Sequence, residues 1–105
     1  MNKNQRIHQT GVEKIVCRLL AKNYDAVLMN VPYEANGMRG ELDVLAIRGK
    51  IAHYYEVKTN DTDRAYYKAE EQINRVQMAF PMWNIRGIYV PLNGKLERVI
   101  WQNLI

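Results

Sequence analysis

Asp43, Glu56 and Lys58 stand on either side of a Gly49-Lys50 dipeptide, at spacings that can bring them together. A two-residue type II′ hairpin turn takes Gly at its first central position. Gly49-Lys50 fits that turn, with Arg48 opposite Ile51. Counting back along both strands, Asp43 faces Glu56 and Glu41 faces Lys58. Directly opposed residues share a face of the sheet, so one strand end is expected to carry all four as a polar patch. Two carboxylates directly opposite each other repel, and a divalent cation removes that penalty. Mg²⁺ takes one or two carboxylates and keeps several waters. Its open positions can hold a phosphate oxygen and an attacking water. Lys58 lies beside that water and can orient it, help deprotonate it or offset phosphate charge. Glu41 is read as the ion-pair partner of Lys58 and as a further candidate ligand. The alternative for the whole set is a surface ion-pair cluster at a sheet end.

These residues need a scaffold, and the rest of the chain supplies one. Val12, Ile15, Val16, Leu19 and Leu20 recur at helical spacing, which predicts a first helix over about residues 5–22. Tyr24 to Val31 is rich in strand formers and ends at Pro32. The segment 32–40, with Pro, Asn and two Gly, reads as an adaptable loop. Strands follow over 41–47 and 51–58. Their far ends are apolar on both faces: Leu45, Ile47, Ala52 and Tyr54 on the carboxylate face, and Leu42, Val44, Ala46, Tyr55 and Val57 on the other. Strands of that kind are covered on both sides. A second helix over about 62–80, capped from Asn60, Asp61 or Thr62, has Ala65, Ala69, Ile73, Val76 and Phe80 as its inner face and stops at Pro81. Strands over 85–90 and 96–101 close the chain around a turn at 91–95. The order αβββαββ describes one mixed α/β (α+β) domain over residues 1–105, built on a central mixed sheet flanked by helices.

Composition agrees with one small domain. The chain has 105 residues, 48% of them hydrophobic and 25% charged. No apolar run reaches membrane-spanning length. The polar start MNKNQRIHQT shows no signal-peptide pattern, and the lone Cys17 allows neither an internal disulfide nor a multi-cysteine zinc site. A cytoplasmic setting is the expectation. Cys17 is read as a packing residue, His53 as a packed or edge histidine and His8 as a phosphate contact. The net charge of +4 lies in the first fifth of the chain. Residues 1–22 hold Lys3, Arg6, Lys14, Arg18 and Lys22 against Glu13, while the remainder balances ten bases with ten acids. Such a segment can meet a polyanion or form a solvated helix face.

Asp43 followed across a hairpin by Glu56-Val57-Lys58 resembles the PD-(D/E)XK nuclease superfamily and its restriction-endonuclease-like αβββαβ core. The chain is most similar there to archaeal-type Holliday junction resolvases, which have an early helical Glu, an Asp-plus-apolar strand and Glu-Val-Lys. The Gly-Glu-Leu-Asp opening also resembles small bacterial PD-(D/E)XK proteins and small nucleases encoded by viruses. Leu42 stands where the Pro of the motif's name would be. The resemblance implies Mg²⁺-dependent hydrolysis of DNA phosphodiesters, with Mn²⁺ as a substitute, in DNA recombination and repair. It implies that Asp43, Glu56 and the Val57 carbonyl bind the metal and that Glu13 in the first helix adds a carboxylate. Lys3, Arg6, Lys14, Arg18 and Arg39 are expected to contact DNA. Gln72 is a candidate contact to metal-bound water or to the backbone, and Thr59 and Asn60 are candidates for phosphate. Resolvases of this type also imply a homodimer, here through the second helix and C-terminal strand region, where Met78, Met82, Trp83, Tyr89 and Trp101 form either a self-association surface or the rest of the monomer core. Branched DNA is the expected substrate. The alternatives are a nuclease for nicks, flaps or single strands, and a non-catalytic DNA-binding protein on the same fold.

Overall fold

A computed structural model of the chain describes residues 1–59 and 62–92, together with the backbone of 98–102. Helix α1 spans Lys3–Leu20. The Asn2 side chain accepts from the Gln5 N–H, and the Gln5 side chain accepts in return from the Asn2 N–H, each at 2.8 Å. This reciprocal capping box satisfies two donors that the first turn leaves open. Strands β1 (Ala26–Ala35), β2 (Met38–Arg48) and β3 (Ile51–Lys58) follow. Helix α2 (Asp63–Ala79) is capped by Thr62, and β4 (Asn84–Pro91) and β5 (Arg98–Gln102) complete the described elements.

The five strands lie in the order β1-β2-β3-β4-β5. Neighbours are antiparallel except β3 and β4, which run parallel. A parallel pair needs a crossover, and α2 provides it. This is the αβββαβ core with a central mixed sheet that the sequence predicts. Val12, Ile15 and Leu19 of α1 pack on Val44, Ala46, Tyr55 and Val57. Ile73 and Val76 of α2 pack on the opposite face, against Leu45, Ala52, Tyr54 and Ile85. The central strand β3 is covered from both sides, and Tyr54, Tyr55, Glu56 and Val57 are buried in succession along it. No helix among the described residues is long and apolar enough to cross a membrane.

Three details differ from expectation. The predicted loop over 32–40 is largely a hairpin: β1 continues to Ala35, Asn36 and Gly37 turn the chain, and β2 begins at Met38. Both turn residues have positive φ, 52° and 75°, the signature of a type I′ turn, for which Asn-Gly is the favoured pair. Pro32 does not end β1 because β1 is an edge strand, where a missing N–H costs no ladder bond. Second, the β2–β3 ladder runs from Arg48↔Ile51 to Val44↔Tyr55 and stops there, one pair short of Asp43 and Glu56. Third, Leu42 joins the α2-side cluster with Tyr33, although Val44 belongs to the α1 side. The face alternation therefore breaks at Asp43. Opposite it, the β1 ladder skips from Met29↔Val44 to Val31↔Leu42, and the intervening Asn30 has φ 54°. Residues 93–97 of the last turn and strand lie outside the described residues.

Candidate active site

The break at Asp43 builds the site. Freed from the ladder, the Asp43 carboxylate turns to the neighbouring strand, and its Oδ2 accepts the Val57 N–H at 2.8 Å. Asp43 and Glu56 are the buried charged residues of the described chain, 7% and 4% exposed. Lys58 Nζ lies 3.4 Å from Glu56 Oε1, while Glu56 Oε2 is buried with no hydrogen-bond donor facing it. Burial, then the charge of Asp43, push the Glu56 carboxyl up from 4.5 to about 8, against the pull of Lys58. Two carboxylates that close cannot both ionise cheaply, so one keeps its proton until something positive arrives.

From α1, His8 Nε2 reaches the same place. It lies 3.3 Å from Asp43 Oδ2 and 3.1 Å from the Val57 carbonyl oxygen. The hydrogen-bonded Asp43 carboxylate holds the imidazole above its ordinary value, with the Val57 carbonyl and Glu56 adding to the effect against partial burial. A cleft of about 740 Å³ opens over these groups. Its walls include Asn4, Gln5, His8 and Gln9 of α1, Glu41 of β2, and Val57, Lys58 and Thr59 at the end of β3. The N-terminal end of α1 thus borders the cleft, where its partial positive charge favours an anion.

The expected residues divide into those at the cleft and those away from it. Asp43, Glu56, Val57 and Lys58 converge. Glu41 and Thr59 line the cleft, but Glu41 is exposed and the ion pair of Lys58 is with Glu56, so the expected Glu41–Lys58 pair gives way. The strands splay before Glu41 can oppose Lys58. Glu13 is exposed and meets Gln9 Nε2 at 3.5 Å. The helix face reaching the carboxylates carries His8, one turn before the buried Val12, and Glu13 lies to the side of that stripe. Gln72 donates to the Glu41 main-chain carbonyl at 3.0 Å and so ties α2 to β2.

Lys3 and Arg6 lie in the first turns of α1, at its cleft end, and are exposed. Arg6 and Lys14 border a separate groove with Ile7, Thr10, Gly11 and Leu92. Arg18 sits over the Tyr55 ring, 5.8 Å from its centroid, and lies about 15 Å along the helix from His8 at 1.5 Å per residue. Arg39 is on the hairpin arm, facing Glu34 at 3.9 Å. Asn60 lies outside the described residues. Of the large C-terminal residues, Tyr89 is fully buried and Trp83 stacks on Phe80, whereas Met78 and Met82 are exposed. His53 is packed as expected: Tyr24 Oη lies 2.8 Å from its Nδ1, and burial, then nearby Arg and Lys charges, lower its pKa.

Among the described residues no three His, Cys, Asp or Glu side chains form a ready-made metal cluster. The donors that fit a divalent cation are two carboxylates and one main-chain carbonyl, a hard oxygen set suited to Mg²⁺ or Mn²⁺ with water completing the shell. The undonated, buried Glu56 Oε2 is the clearest sign of that fit.

No family model matches the chain, and no curated protein matches it. Solved structures do. The protein of unknown function AF1548 aligns with a TM-score of 0.57 and 17% identity, over 85% of this chain and 50% of its own. The protein SSO0001 aligns with a TM-score of 0.55 and 16% identity, over 96% of this chain and 51% of its own. Protein VC1899 from Vibrio cholerae aligns with a TM-score of 0.50 and 24% identity, over 86% of this chain and 24% of its own. The chain spans about half, or less, of these proteins' lengths. The likeness is one of fold.

Proposed function

We propose that the chain is a divalent-metal-dependent DNA endonuclease that acts on branched DNA. The observation that carries this reading is the frustrated pair Asp43 and Glu56: two buried carboxylates with one undonated oxygen, in contact with His8, Val57 and Lys58, which line an open cleft. A bound cation would offset their repulsion, polarise a phosphoryl oxygen and make a bound water nucleophilic near neutral pH. Asp43, Glu56 and the Val57 carbonyl would hold it. Lys58 stays within 3.4 Å of Glu56 at the cleft wall, where it orients the attacking water and offsets charge that grows on the phosphate. Thr59 and the N-terminal end of α1 receive the neighbouring phosphates, helped by Lys3 and Arg6. The DNA substrate and its branched form rest on the resemblance to resolvases. Paired cuts across a junction require two such sites, which a homodimer through the exposed Met78 and Met82 would supply.

The test is cleavage of labelled four-way junctions, flaps, nicked duplexes and single strands, with and without Mg²⁺, beside Asp43→Ala. Metal-dependent, paired symmetric nicks in the junction, lost in Asp43→Ala, are the expected result. Equal cutting of linear single strands selects a nuclease of other specificity. Binding without cleavage under any metal selects a non-catalytic DNA-binding protein.

A further inference from the structure

The sequence offers His8 only as a phosphate contact, yet the fold seats it against Asp43 and the Val57 carbonyl. Its Nε2 is 3.3 Å from Asp43 Oδ2 and 3.1 Å from the Val57 carbonyl oxygen, oxygens of two of the groups assigned above to the cation. Adjacent ligands of an octahedral ion with bonds of about 2.1 Å are about 3.0 Å apart. The imidazole nitrogen thus already stands at the separation that neighbouring ligands of one ion adopt, from both oxygens at once. Its backbone is fixed, since α1 is anchored one and two turns later by the buried Val12 and Ile15. Without an ion the Nε2–H donates toward these two oxygens; a cation taken up between them would displace that proton, leave the ring protonated on Nδ1 and receive the Nε2 lone pair. Metal-bound histidines use that arrangement.

We propose that His8 Nε2 is a fourth protein ligand of the cation, beside Asp43, Glu56 and the Val57 carbonyl, and that it makes the site prefer Mn²⁺ to Mg²⁺. The proposal deepens the metal-site reading above and rests on it. Mg²⁺ favours an all-oxygen shell with retained waters, whereas imidazole suits transition ions. One nitrogen added to the three oxygen donors shifts the balance accordingly. His8 would then supply the helix-borne ligand that Glu13, exposed and turned aside, does not.

The experiment uses the full chain with Mn²⁺ and electron spin-echo modulation, which detects a nitrogen bound directly to the ion. Imidazole-nitrogen modulation is expected in the wild type and in His53→Gln, and its loss in His8→Gln. Gln retains an amide that can donate to the same two oxygens, so the fold persists, as a thermal melt followed by circular dichroism will verify. Titration of free Mn²⁺ should show affinity falling about 10- to 100-fold in His8→Gln, the range seen when groups supporting a metal site are lost. Mg²⁺ affinity should stay close to that of the wild type. Mn²⁺ that binds without nitrogen modulation and is lost in Asp43→Asn overturns the proposal and leaves the metal site standing. So does His8→Gln binding Mn²⁺ as tightly as the wild type, or tighter, since the ring is then a donor that the ion displaces. Binding that ignores Asp43→Asn, or no binding at all, removes the metal site itself and this ligand with it.

Discussion

Replacing Glu56 with Gln should stabilise the metal-free protein, by an amount that depends on pH. The Glu56 carboxyl is buried beside Asp43 and titrates at about 8 in the folded chain, against an ordinary value of 4.5. Below the lower value both folded and unfolded chains hold the proton, and nothing is lost. As pH rises past it, the unfolded chain releases the proton while the folded chain keeps it, so stability falls until the folded carboxyl also ionises. Each pH unit inside that window costs up to about 1.4 kcal/mol, giving on the order of 3 kcal/mol near pH 7. That is a large share of the ~5–15 kcal/mol that holds a typical domain together. Gln carries no proton in either state and escapes the loss, and its amide oxygen can still accept from Lys58. Urea unfolding of both proteins in a chelator, from about pH 4.5 to pH 8, should show curves that nearly coincide at the acidic end and separate steadily above it. Mg²⁺ at the alkaline end should raise the wild type toward the variant, because a cation restores what burial takes away. A difference that does not change with pH, or a variant less stable than the wild type near neutrality, would refute the reasoning.

Asp43→Ala should act in the opposite sense on folding, because it strands the buried Val57 N–H that Asp43 Oδ2 accepts at 2.8 Å. A loss of about 1–3 kcal/mol in urea unfolding is expected, together with loss of Mg²⁺ binding by calorimetry. Lys58→Met should abolish cleavage while Mg²⁺ still binds. It should also move the Glu56 carboxyl further up, observable by NMR titration, since Lys58 is what draws it down. Gly87→Ala tests the crossover packing. A Cβ there would lie 2.3 Å from Ile73 Cδ1, so the variant should lose about 1–3 kcal/mol by overpacking, with a lowered melting temperature and unchanged metal affinity.

Much of this arrangement was legible in the residues themselves. Gly49, with φ 59°, makes the expected turn, and Arg48↔Ile51 sets the register that runs back to Val44. The stripe Val12, Ile15, Leu19 places α1, and Ala69, Ile73, Val76 place α2. What escaped was local and depended on tertiary partners. Asn36-Gly37 is a strong hairpin signal, but the Pro32 before it reads as a strand end unless the strand is known to lie at the sheet edge. The flip of Leu42 to the α2 side follows from the positive φ of Asn30 across the ladder, and no periodicity within β2 records that. His8 escaped because its ligand-like neighbours are a carboxylate 35 residues away and a main-chain carbonyl 49 residues away, and a carbonyl carries no residue type to read.

The failure of the ladder at Asp43 also explains why a main-chain oxygen is available at this point in a buried strand. Had β2 and β3 stayed paired, Val57 would have Leu42 as its neighbour. On its other side β3 remains fully paired, with Glu56↔Tyr89, Val57↔Val90 and Lys58↔Pro91 along the parallel β4. The strand is thus held rigid by one edge while the other opens. Asp43 fills part of the gap by taking the Val57 N–H, and the Val57 carbonyl turns to His8. Two costs are accepted together: a lost pair at the end of the ladder, and a buried carboxylate pair with an undonated oxygen. Separately, each would be a defect in the sheet. At one spot, behind the Val57 and Lys58 wall of an open cleft, they combine into an oxygen-rich cluster. A cation there would repair the electrostatic defect, and β4 already holds the open strand in place for it.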